Sequence, residues 1–149
     1  MWLLVAGGAF RSGPAALRAF LDTTDARGES ELSGPLAATG NRAVPAVVTA
    51  IRDPSLRYRR YAIAYLGWAG DSQAIPALLQ ILEDTSEIDY FRGDALEAIA
   101  CLHRPLGDSL ARANSDAAGD LGSAVRQIGD GPFCPDLGFS PMLAVQRLF

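Results

Sequence analysis

The chain has 149 residues, of which 49% are hydrophobic and 20% charged, a balance that belongs to a folded domain with a sizeable core rather than to a disordered or collagen-like chain. Two cysteines are too few for a disulfide-dense scaffold. Thirteen basic residues, all arginine, stand against 17 acids, and the net charge of -4 argues against a general polyanion binder.

The longest apolar stretch, Trp2–Phe10, is too short to span a bilayer, which excludes a polytopic membrane protein. It has no positive region before it and no A-x-A cleavage site after it. Two readings stay open. One is a short apolar segment folded onto the first helices of a cytoplasmic protein. The other is the remnant of an export or anchor signal, which places the protein in the periplasm or on a membrane. Next, Gly13–Asp22 reads as a helix with Ser12 as its cap, and Glu29–Ala38 as a short second helix interrupted by Gly34-Pro35.

The centre of the chain repeats. Ala43–Asp53 aligns with Ala74–Asp84, and each copy carries apolar residues at i, i+3, i+4 and i+7: Val44, Val47, Val48, Ile51 and then Ile75, Leu78, Leu79, Leu82. Pro45 and Pro76 sit in the first turn, where the missing N–H has no intrahelical partner. A second helix follows each copy. Tyr58, Tyr61, Ala62, Tyr65 and Leu66 make one stripe; Phe91, Ala95, Ala98, Ile99 and Leu102 make the other. Alanines at 62, 64, 95, 98 and 100 allow close helix approach. Gly67 and Gly70 read as the punctuation between units, and Trp68, in the turn between them, either plugs the junction or stands exposed, the first being favoured.

The pattern Val/Ile-Pro-Ala-Val/Leu, followed by Arg59-x-x-Ala62-x-x-Tyr65-Leu66-Gly67 and Arg92-x-x-Ala95-x-x-Ala98-Ile99, resembles the short HEAT-like repeats of the phycobilisome-lyase type, best over residues 36–102. The resemblance implies an all-α fold, a right-handed α/α superhelix (a HEAT-like solenoid) of about four helical pairs with degenerate terminal units. A single domain is expected: 1–42 a degenerate first unit, 43–102 two well-formed repeats, 103–129 a degenerate third unit and 130–149 a C-terminal extension. In the third unit Pro105–Ala113 reads as helix A. Asn114-Ser115-Asp116 reads as the cap of a helix carrying Ala117, Leu121, Ala124, Val125 and Ile128 and ending at Gly129. A proline- and glycine-rich loop, Asp130–Ser140, leads to a last short helix, Pro141–Phe149.

No catalytic constellation stands out. The single histidine, His103, reads as a residue that the dipole favours at a helix C-terminus, and there is no P-loop, nucleophile elbow or zinc spacing. Neither an enzyme activity, a cofactor nor a metal is expected. Cys101 lies in an apolar helical run, as a core thiol does; a bridge to Cys134 is the reading for an exported chain.

The informative contrast lies between two equivalent loops. Arg52–Tyr61 is basic, whereas Glu83–Asp94 is acidic, and stacked helices about 8–10 Å apart make the loops neighbours. Two readings follow. The loops neutralise one another through Arg59 and Arg92, the repeat-arginine position of the family; or the acidic loop with Tyr90 docks a basic protein partner. Arg57, Tyr58, Arg60, Glu87, Asp89 and Tyr90 are the candidate contact residues. Arg52, Arg57, Arg59 and Arg60 with Tyr58 and Tyr61 also suggest a nucleic-acid surface, disfavoured by the short basic run and the acidic domain. The expected function is a non-enzymatic protein-binding module or scaffold, of the kind that serves as a bacterial immunity or assembly protein. The alternative is an enzyme-associated HEAT-like subunit acting on a chromophore, as bilin lyases do, or on nucleic acid.

Overall fold

The computed structural model describes residues 13–22, 36, 39–69, 71–131 and 134. All regular structure among them is helical: α1 (Gly13–Leu21), α2 (Val44–Ala50), α3 (Arg59–Ala69), a 3₁₀ turn (Ser72–Ala74), α4 (Ile75–Glu83), α5 (Asp89–Leu102), α6 (Arg104–Ala113) and α7 (Gly119–Asp130). Trp2–Phe10, Ser12 and Pro141–Phe149 lie outside the described residues, as do most of Glu29–Ala38 and Asp130–Ser140.

Proline is the second residue of α1, α2, α4 and α6: Pro14, Pro45, Pro76 and Pro105. At that position the ring fixes a helical φ and removes an N–H that has no intrahelical acceptor. The recurrence marks these four as the A helices of an all-α solenoid, with α3, α5 and α7 as the B helices. α2 buries Val44 and Val47, with Ile51 just past its end; α4 buries Ala77, Leu78, Ile81 and Leu82, while Ile75 and Leu79 of the expected stripe are only half-buried.

α5 lies at the centre and packs against α3, α4, α6 and α7. Small residues let it be touched on several sides. Gly67 of α3 lies so near α5 that a Cβ there would come within 2.9 Å of Ala98 Cα. A Cβ on Gly107 of α6 would meet Ala100 Cα at 2.5 Å. Gly67 is therefore an approach point rather than a helix end. Trp68, expected in a turn, stands on α3, half-buried, its ring centroid 6.2 Å from that of Tyr65. Tyr65 Oη donates to the Gly40 carbonyl at 2.6 Å and fastens α3 to the turn before α2; burial pushes its pKa up to about 12.

The third unit departs from expectation at its caps. Asn114 closes α6, its Nδ2 donating to Leu110 O at 2.8 Å, and α7 begins only at Gly119, with a φ of 61°. No side chain beside α7 caps it. Asp89, at the start of α5, accepts the Leu121 N–H at 3.2 Å instead. His103 ends α5 and also caps α6, its Nδ1 accepting the Leu106 N–H at 3.1 Å. Cys101 is no free thiol. It is bridged to Cys134, with the two Cα atoms 5.5 Å apart.

Candidate functional site

The two A–B loops are built alike. In each, a serine folds back on an aspartate two residues earlier. Ser55 donates its N–H and Oγ–H to Asp53 Oδ1 at 2.9 and 2.7 Å, and Ser86 does the same to Asp84 Oδ1 at 2.9 and 2.6 Å. These bonds hold both carboxyls below their ordinary range. Each loop also ends in an arginine that reaches back to the A helix. Arg59 Nε donates to Ile51 O, and Arg92 Nε to Leu82 O, both at 2.9 Å. The last carbonyls of a helix lack intrahelical donors, and the guanidinium supplies one. Sequence reasoning missed this turn, although Asp53-x-Ser55 and Asp84-x-Ser86 recur at the repeat spacing and carried the signal.

The charges between the loops are largely spent internally. Arg59 Nη1 meets Glu87 Oε2 at 2.6 Å, with the two side chains 2% and 8% exposed, and the guanidinium lies 5.0 Å over the Phe91 ring. Asp89 faces Arg92 at 3.6 Å and accepts the α7 amide already described. Glu87 and Asp89, two candidate contacts for a basic partner, thus have partners inside the fold.

The other four candidates form the outward edge. Arg57 is exposed; its guanidinium lies 4.7 Å over the Tyr58 ring, and Nη2 donates to Tyr58 Oη at 2.8 Å. Tyr58 has φ 57°, uncommon for a bulky residue, and this turns its ring edge-on to Phe20 at 6.0 Å. Arg60, half exposed, stacks 4.9 Å over Tyr90, whose ring in turn lies 4.7 Å from Phe91. Ile88, between the two spent acids, is 61% exposed. Two arginines, each over a tyrosine, thus share this edge with an uncovered isoleucine.

Beneath Arg60 lies a largely buried carboxylate. Asp94 Oδ2 is buried, and although Arg60 Nε is 3.1 Å away, its N–H is not aimed at that oxygen. Desolvation raises the Asp94 pKa to about 7; Arg60 opposes the shift, while Glu97 and Asp120 add to it. Burial raises Glu97 as well. Elsewhere a cleft of about 420 Å³ opens on the outer side of the third pair, between Arg104, Asp108, Arg112 and Ser115 on one flank and Val125 and Ile128 on the other. Among the described residues no group of three His, Cys, Asp or Glu is placed to hold a metal ion, and no helix is long and apolar enough to cross a membrane.

A family model for HEAT repeats matches residues 14–100, more than half of the chain. The chain is a HEAT-repeat protein. HEAT repeats generally mediate protein–protein interaction. The match stops before α6, whose Pro105 stands at the same second helical position as Pro45 in α2 and Pro76 in α4. No curated protein and no solved structure matches this chain.

Proposed function

We propose that this HEAT-repeat protein is a non-enzymatic binding module, of the immunity or assembly-factor kind, that docks a protein partner on the edge formed by Arg57, Tyr58, Arg60, Ile88 and Tyr90. The observation that supports this reading is the pairing of two exposed or half-exposed guanidiniums with tyrosine rings, together with the exposure of Ile88 in the second loop. Stacking holds each arginine in place before binding, so little side-chain freedom is lost on contact. Arginine and tyrosine are the side chains that most often anchor interfaces, and an exposed isoleucine offers the apolar centre. With Glu87 ion-paired to Arg59, the outward guanidinium of this edge is that of Arg57, stacked on Tyr58. In this reading the partner presents a carboxylate to Arg57 and an apolar side chain to Ile88.

The test places a photo-crosslinking residue at position 88 of the full chain and compares the captured partner with that of Arg57→Glu and, separately, of Arg112→Glu on the third pair. Crosslinking at 88 that Arg57→Glu abolishes and Arg112→Glu spares is the expected result, with all three chains melting alike. A partner that Arg57→Glu leaves in place, or one crosslinked only from other positions, overturns the reading.

A further inference from the structure

Among the described helices, α6 and α7 pack chiefly on each other and on α5. This third pair is thinly built. The buried residues of α6 are Gly107 and Ala111, and those of α7 are Leu121, Gly122, Ala124 and Ile128. α7 starts on a left-handed glycine, carries two more, and takes its cap from a different helix. Its outer side is the open cleft described above. Around this weak pair the chain closes a covalent ring. Cys101 lies on the last turn of α5, Cys134 lies just beyond the end of α7 at a sequence separation of 33, and the stretch between them includes both helices of the pair.

We propose that the Cys101–Cys134 disulfide is a redox-operated lock on the third helical pair. Closed, it holds α6 and α7 against α5; opened, it lets that pair loosen while α2–α5 stay folded. A cross-link acts chiefly by restricting the open state, and here the open state it restricts is that of one pair. The bond is within reach of reagents, because Cys134 is exposed and Cys101 half-buried. Closing the lock removes one hydrogen from each thiol. Two electrons pass to the disulfide of an exchange partner, either a protein thiol oxidant or a small-molecule disulfide, which becomes two thiols. Opening runs in reverse: a dithiol attacks one sulfur, forms a mixed disulfide and leaves oxidised as both cysteines regain their hydrogens. The lock rests on the covalent topology alone and does not depend on which surface binds a partner.

The experiment follows amide hydrogen exchange of the full chain, first after equilibration with oxidised glutathione and then after dithiothreitol. Intact mass verifies the loss or gain of two hydrogens. The lock predicts that reduction speeds exchange of α6 and α7 amides by at least about tenfold while those of α3 and α4 change by less than about twofold. Cys134→Ser should exchange like the reduced chain and ignore dithiothreitol. Three results overturn the proposal: a glutathione-treated chain that keeps two thiols or carries only mixed disulfides, reduction that leaves α6 and α7 unchanged, and reduction that speeds all helices alike. The last would make the bond a global staple. Because the reductant acts on the native sequence, the answer stands even if Cys134→Ser fails to fold.

Discussion

Glu87 and Asp94 both face an arginine on the neighbouring B helix, but the two pairs behave differently. Glu87 meets Arg59 squarely and deep in the fold, so removing the acid strands a buried guanidinium. Glu87→Ala is expected to cost about 3–5 kcal/mol, read by thermal or urea unfolding, and Glu87→Gln less, because its amide oxygen still accepts a hydrogen bond. Asp94 meets Arg60 off-axis, and burial outweighs the attraction. Its carboxyl is held near 7 in the folded chain and in the ordinary range in the unfolded one. The proton on Asp94 therefore stabilises the fold fully below that ordinary range, and the contribution is lost as pH rises through about 7. Glu97 acts in the same direction, while Asp53 and Asp84, held low on the open surface, act weakly in the opposite one. Asp94→Asn removes the larger part of the loss. The variant should match the parent near pH 4, exceed it near pH 8, and show a flatter melting curve against pH.

At the scale of the element, glycines separate contact from propensity. Gly107 lies against the backbone of Ala100, so Gly107→Ala must push α6 off α5 and is expected to lower stability by about 1–3 kcal/mol. Gly129, near the end of α7, has nothing within 4 Å of where a Cβ would sit. Gly129→Ala should stabilise by about 0.5 kcal/mol through helix propensity alone. Chemical denaturation of the two variants side by side checks both signs. The same contrast explains what could be read from sequence. The A helices were legible because their apolar period and their proline are local signals, and they appeared twice. The start of α7 was not legible, because its cap, Asp89, lies on another helix and Asn114 is taken by α6. Gly67 was misread for a related reason: a glycine that ends a helix and one that admits a neighbour look alike until the neighbour is known. The six candidate contact residues were read from the two loop sequences, but that Glu87 would be spent inside depended on the reach of Arg59, a matter of three-dimensional placement.

For the whole molecule, α5 is the piece that the rest depends on. Ile99, in its C-terminal half, is fully buried. Ile99→Ala is expected to cost about 2–5 kcal/mol and to speed hydrogen exchange in α3, α5 and α7 together. Phe20→Ala, equally buried but at the N-terminal end of the array, should confine its effect to α1 and α2. Exchange that rises uniformly in both variants would instead mark one cooperative unit. The array also bears on how such chains lengthen. Arg59 and Arg92 each tie a B helix to the A helix of the same hairpin, so every hairpin brings its own clasp when its coding segment is copied. A tandem duplication that inserted one more hairpin would need only a matching apolar flank on either side, which makes growth by whole hairpins the easiest evolutionary step open to this chain.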